Sequence, residues 1–175
     1  MAARKPNPLP TSLLDYSQLE GGLVRMMDRF RDEGTLTGDP DADAWLRTDP
    51  NAALLGLLYD QRVLAEYAFL GPARLKARLG HLDVKKIASM DEQALRDVFA
   101  ERPAVHRFTN KMADYTRALA GRLVADWNGT AESLWSDGAD FATIRKRVES
   151  LPGFGREKAE KMRYVLHYFG WRDFS

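Results

Sequence analysis

The run Leu151-Pro152-Gly153-Phe154-Gly155-Arg156-Glu157-Lys158-Ala159 constrains this chain more than any other stretch. Two glycines flank one apolar residue, a proline precedes them, and amphipathic segments lie on both sides, a pattern that predicts two helices joined by a very tight hairpin. Glycine takes positive φ and lets another backbone come close, so Gly153 and Gly155 are expected to turn the loop amides outward at the start of the second helix. Such amides favour a phosphate oxygen without regard to base sequence, and Arg156, Lys158 and Lys161 follow within the next turns. An ordinary helical hairpin, with the glycines serving only as a C-cap, uses the same spacing.

The flanks fit either use. Phe141, Ile144, Val148 and Leu151 recur at helical spacing before the hairpin, and Ala159, Met162, Leu166 and Phe169 do so after it. Earlier in the chain, Asp39-Pro40 and Asp49-Pro50 each set an N-cap aspartate before a proline suited to the first helical position. The second of these opens a helix expected to carry Leu54, Leu55, Leu57, Leu58 and Gln61, deeply buried on most sides, with Asp60 and Gln61 as its polar exceptions. A helix from Tyr16 to Arg31 should end near Gly34. Val63 to Leu70 should run to Gly71-Pro72, and a new helix should restart from Pro72 to Leu79. Asp91 and Asp140 read as caps, Arg102 to Phe108 as a turn-rich linker, and Asn128-Gly129 as the stop of a helix beginning at Asn110. No strand alternation survives, so the fold class is all-α. Met1 to Pro10, with three prolines, is expected to be a mobile arm.

Composition removes several chemistries. The 175 residues are 45% hydrophobic and 29% charged and contain no cysteine, which excludes disulfides, thiolate metal sites and thiol nucleophiles. No histidine pair or carboxylate cluster has metal-ligand spacing. No apolar run reaches the roughly 20 residues that span a bilayer, and the first ten residues hold no signal-peptide core, so a cytoplasmic location without membrane association is expected. A net charge of +1 is low for a nucleic-acid binder, unless charge is segregated by face. Acidic residues gather at 39–49 and 91–97, whereas Arg145-Lys146-Arg147 and Arg156 to Arg163 flank the hairpin.

The hairpin string resembles the helix-hairpin-helix signature of the HhH-GPD superfamily of base-excision DNA glycosylases, which includes endonuclease III and reads L-P-G-V-G-x-x-T-A. Asn51 to Val63 (NAALLGLLYDQRV) is similar to that family's early L-L-S-x-Q helix, with Gln61 in the place of its glutamine. The resemblance spans Asp39 to Trp171 and is strongest to a small branch without an iron–sulfur cluster. It implies a helix-hairpin-helix glycosylase-like fold of two helical lobes with a DNA-facing cleft. Residues 1–11 would form the arm, 12–48 would contribute helices to the second lobe, and 49–175 would be the HhH-GPD-like domain with its hairpin at 151–159. Implied with it are double-stranded DNA as partner, a monomer, and no cofactor beyond a monovalent cation at the hairpin carbonyls.

Cleaving an N-glycosidic bond in a duplex requires the nucleotide to leave the stack. The resemblance makes Gln61 the plug of the vacated space, with Tyr59 and Arg62 on the orphaned strand and Gly153, Phe154, Gly155, Arg156 and Lys158 on the backbone. The developing oxocarbenium needs a carboxylate. After Phe169-Gly170-Trp171, which resembles the family's A-F-G-W, Asp173 is one candidate, although it arrives earlier than the family's aspartate. Asp60, beside Gln61, is the other, because burial next to Tyr59 would raise its pKa. The position of the family's lyase lysine holds Glu157, and Lys158 is turned by about 100° from it. A monofunctional glycosylase is therefore the first expectation. A catalytically inactive DNA-binding or lesion-sensing module is the second, and the early end of the chain favours it. His106 is read as a hydrogen-bonding residue or a phosphate contact; Tyr59, Tyr67, Trp127, Trp135 and Trp171 are read mostly as core, with a base-stacking residue among them.

Overall fold

The computed structural model describes residues 4–175, and the first three residues of the expected arm lie outside it. The described residues form ten α-helices and no strand: α1 (Leu23–Glu33), α2 (Pro40–Leu46), α3 (Pro50–Leu58), α4 (Ala65–Leu79), α5 (Val84–Ala88), α6 (Glu92–Ala100), α7 (Thr109–Asp126), α8 (Phe141–Glu149), α9 (Arg156–Glu160) and α10 (Met162–Tyr168), with a 3₁₀ turn at Ala131–Leu134. Capping explains most of the starts. Asp39 and Asp49 each accept two backbone N–H bonds ahead of a first-turn proline, and Asp83, Asp91 and Asp140 cap α5, α6 and α8. Gly34 ends α1 in the left-handed region, where its amide returns to Phe30.

Helix α3 is the buried axis: every residue from Ala52 to Leu58 is out of solvent. It packs against α4 on one side and against α10 and the 3₁₀ turn on the other. The α3–α4 approach depends on Gly56, where a Cβ would stand 2.4 Å from the Phe69 ring. A side chain there would push the helices apart.

Four expectations change. Helix α1 begins at Leu23 rather than at Tyr16. Helix α3 stops at Leu58, so Gln61 lies in the loop 59–64. The apolar run that suggested a longer helix continues through Tyr59, but Tyr59 caps α3, and Arg62 then takes φ 55°, which no helix accommodates. Gly71-Pro72 does not divide two helices: α4 runs through Pro72, both residues are buried, and Gly71 packs on the Tyr59 ring. Tertiary packing here overrides the local helix-breaking tendency. The segment from Arg4 to Pro10, expected as part of a mobile arm, is tied down. The Asn7 amide donates to the Arg47 carbonyl at 2.8 Å, Arg4 pairs with Glu132, and Gly170 leaves room for Asn7 and Pro8.

Candidate functional site

The hairpin closes as the glycine spacing requires, though the two glycines do different work. Gly153 has φ 83°, and a Cβ there would stand 2.5 Å from a Leu58 methyl and 3.1 Å from the Tyr115 ring. It is the close-approach glycine, and it seats the hairpin on the end of α3. Gly155 has φ −122° and ψ −176°, with nothing within 4 Å of a Cβ position. Its expected positive φ is not adopted, because extended backbone already turns the chain into α9; the glycine instead leaves open space beside the helix start. The Phe154 amide donates to the Leu151 carbonyl at 3.1 Å, whereas the amides of Gly153, Gly155, Arg156 and Glu157 enter no hydrogen bond among the described residues. A cluster of unpaired amides beside an open surface has the donors an anion needs. Phe154 itself is buried with its ring 5.9 Å from Lys158 Nζ, so its side chain is not a surface contact.

The helical turn after the hairpin separates Glu157 from Lys158. Glu157 is exposed, while Lys158 turns inward and donates from Nζ to the Leu58 carbonyl at 2.8 Å, the last residue of α3. Burial lowers its pKa to about 8, against an opposing pull from Asp60. Asp60 lies in the same recess with Lys158 and Lys161. Burial pushes its carboxyl above the usual range, the two lysines pull it back, and no hydrogen bond supports the ionised form. Both members of an attractive pair are therefore shifted toward neutrality, with desolvation outweighing their mutual attraction. The start of α1 closes the recess: a Cβ on Gly22 would stand 3.8 Å from Asp60 Oδ1, and one on Gly21 3.4 Å from Lys161 Nζ.

The loop carrying Asp60, Gln61 and Arg62 is fixed from below. His106 is fully buried between the Phe108 N–H, which donates to Nδ1 at 2.9 Å, and the Tyr59 carbonyl, 2.8 Å from Nε2. That pair of bonds sets a neutral imidazole with its proton on Nε2, and burial lowers its pKa. His106 is a bracket under the loop. Arg62 is exposed and Gln61 half-buried.

Other candidates fall elsewhere. Tyr59 is wholly buried, hydrogen-bonded through its hydroxyl to Thr116 at 2.8 Å and edge-on to Phe99, so its expected contact with a nucleic-acid strand is not available. Tyr67 bonds the Ala104 carbonyl and lies under the Arg74 guanidinium, Trp135 is core, Trp171 donates to the Leu46 carbonyl, and Trp127 is covered by Arg147. Arg145 and Arg147 are engaged by Glu149, Glu160 and Asp137, so the basic run before the hairpin is largely structural. The structure does not bring Asp173 to Asp60. Its exposed carboxylate accepts from the Ser175 amide and hydroxyl, which hold its pKa low, and its neighbour is His167. Sequence reading passed over Gly21, Gly22, Lys111 and Tyr164. Lys111 lies 5.9 Å from both the Phe108 and Tyr115 rings, next to the hairpin, and its place on the polar side of α7 gave no separate signal.

Among the described residues, no group of three histidine, aspartate or glutamate side chains could hold a metal ion, and no helix is long and apolar enough to cross a membrane. No protein-family model matches the chain, and no curated protein sequence matches it significantly. A solved structure of endonuclease III, trapped as a covalent intermediate with DNA in an estranged-adenine complex, shares the fold at a TM-score of 0.53 and 16% identity. The match covers 90% of this chain and 62% of the endonuclease III chain, so this chain spans less than two thirds of the length of the structure it matches. The fold is thus the all-α helix-hairpin-helix glycosylase-like fold.

Proposed function

We propose that this protein is a DNA-binding base-excision enzyme, a monofunctional glycosylase that hydrolyses the N-glycosidic bond of a damaged, mismatched or modified base after flipping. One observation carries the reading: the hairpin and the Asp60–Gln61 loop are joined directly by Lys158, which spans from the hairpin's second helix to the end of α3. An anion-binding loop and a half-buried, unsupported carboxylate then share one recess, as a reaction on a backbone-anchored nucleotide requires.

In this reading the free amides of Gly153, Gly155 and Arg156 grip a phosphate, with the Arg156 and Lys111 side chains adding attraction. Gln61 fills the space the nucleotide leaves, and Arg62 contacts the opposite strand. Asp60 takes the carboxylate's role in place of Asp173: its oxygens have no competing donor, so they are available to the developing positive charge at C1′ and to an attacking water. A monovalent cation at the hairpin carbonyls would add to the backbone anchor; the Leu151 oxygen would be shared with the Phe154 amide.

The test is a panel of duplexes carrying uracil, alkylated purines, oxidised bases and mismatches, scored for alkali-labile abasic sites with wild type and Asp60→Asn. Release by wild type and its loss in Asp60→Asn is expected. Duplex binding without release across the panel would replace this reading with the non-catalytic DNA-binding module.

A further inference from the structure

Two consecutive carbonyls at the end of α3 are met by side chains from distant segments. The Leu58 carbonyl accepts from Lys158 of the hairpin, and the Tyr59 carbonyl pairs with His106 Nε2 at 2.8 Å. The Tyr59 carbonyl also accepts the Gln61 N–H at 2.8 Å, which closes a three-residue turn with Asp60 at its centre. The Asp60 N–H itself returns to the Leu57 carbonyl at 3.1 Å. The backbone of Asp60 is therefore held on both sides, while its carboxylate stays free of hydrogen bonds beside Lys158 and Lys161.

His106 is fully buried, and its ring is chemically directed as well as packed. The Phe108 N–H can only donate, so Nδ1 is the accepting nitrogen and the ring proton sits on Nε2, aimed at the Tyr59 carbonyl. Phe108 is the residue from which α7 starts, so the start of one helix sets the tautomer that clamps the end of another. A three-residue turn closes through a bent hydrogen bond, weaker than a linear one. The imidazole supplies the second donor to the same oxygen, which has two lone pairs to receive both.

Resting on the glycosylase reading, we infer that His106 is the positioning residue for Asp60: its Nε2–H, through the Tyr59 carbonyl, fixes the turn that holds the carboxylate in the recess. Base release then depends on a side chain that has no exposed surface and touches neither base nor sugar. The dependence is steep, because a displacement of about 1 Å at a reacting group costs on the order of 100-fold in rate.

Two side-chain amides separate this role from packing. In His106→Gln the amide nitrogen reaches about as far as Nε2 and still donates to Tyr59. In His106→Asn the shorter amide meets the Phe108 N–H in place of Nδ1 and leaves Tyr59 without its second donor. Each variant loses one of two bonds and part of the ring, so a role in packing alone makes them behave alike; circular dichroism and urea unfolding check that both fold. The Asp60 carboxyl is followed by carbon-13 NMR, assigned with Asp60→Asn. Burial raises its titration in wild type, and that titration is expected to fall toward the ordinary carboxylate range in His106→Asn and to stay raised in His106→Gln. Single-turnover release at saturating protein, on whichever duplex of the panel wild type acts on, should fall at least about tenfold in His106→Asn and stay within about threefold in His106→Gln. Asp60 titrations alike in the two variants, or release falling alike in both, overturn the positioning role. A wild-type imidazole nitrogen-15 spectrum with the proton on Nδ1 also overturns it, and needs no variant. The expected titrations without release of any base by wild type leave the positioning role standing and remove the glycosylase reading.

Discussion

Two carboxylates occupy opposite kinds of surroundings in this molecule. Asp60 sits where α3 ends, α9 begins and α1 starts, half-buried, flanked by lysines and supported by no hydrogen bond, and its pKa is raised. Asp173 is exposed, accepts two bonds from Ser175, and its pKa is lowered. Around it the chain ends are closed on each other: the Phe174 N–H donates to His167 Nδ1, and His167 Nε2 donates to the Ser12 carbonyl at 2.8 Å. The first site spends folding energy to keep a carboxylate unsatisfied, and the second satisfies its carboxylate and both imidazole nitrogens of His167. Unsatisfied, partly desolvated groups are the ones with reactivity to offer; satisfied ones hold the structure.

The sharpest way to break that contrast is to neutralise each carboxylate. Asp60→Asn is expected to lower base release at least about 100-fold, the usual cost of removing charge stabilisation at a reacting centre. Asp173→Asn should stay within about twofold, because its charge faces solvent. Single-turnover release on the best substrate measures both, and the reverse order would move the site to the C-terminal end. The two hairpin glycines permit a second test at constant chemistry. Gly153→Ala forces an unfavourable φ and drives a methyl into Leu58, with an expected loss of about 3 kcal/mol in urea unfolding. Gly155→Ala adopts its extended conformation without strain and should change stability by less than about 0.5 kcal/mol. Equal losses would mean that the hairpin is not seated on α3.

What was legible in the sequence follows the same division. Caps and close-approach glycines are local devices, so Asp39, Asp49, Asp91, Asp140 and Gly153 could be read directly. The end of α3 could not, since Leu57, Leu58 and Tyr59 form one apolar run and only the His106 bracket, 47 residues away, fixes where the backbone leaves the helix. Tyr59 looked like a surface aromatic beside a functional glutamine because its burial depends on Gly71, Phe99 and Thr116, all distant in sequence. Nor does any local pattern announce that Lys158 turns toward Asp60; one residue of helical rotation decides it, and the hairpin's seat on α3 sets the angle.

Lys158 makes the recess visible to a stability measurement. Burial disfavours its charged form, so the cost is fully present below pH 8 and is relieved as the pH rises from about 8 toward the ordinary 10.5. In that window the unfolded chain binds a proton that the folded chain has released. Unfolding free energy should therefore rise by on the order of 2 kcal/mol relative to Lys158→Met, after discounting for partial exposure. Urea titrations of both proteins from pH 7 to 10.5 give the difference directly. A flat difference would place the ammonium in solvent and detach the hairpin from Asp60.

The smallest effect separates a residue that touches a ligand from one that supports the loop. Tyr59→Phe removes a hydroxyl bonded to Thr116 but leaves the ring against Phe99, and Thr116 keeps its own bond to the Met112 carbonyl at 2.7 Å. Only one partner is lost and no hydroxyl is stranded, so the expected cost is about 1 kcal/mol in stability. Affinity for a duplex should change by less than about twofold, because a side chain with no exposed surface has nothing to give a strand. Arg62→Ala, three residues away in the loop and exposed, should instead weaken binding about uniformly across sequences and flatten its salt dependence. If the tyrosine variant loses affinity while keeping its melting temperature, the 59–64 loop rearranges on DNA, and the contrast between an open recess and a closed core would hold only for the free protein.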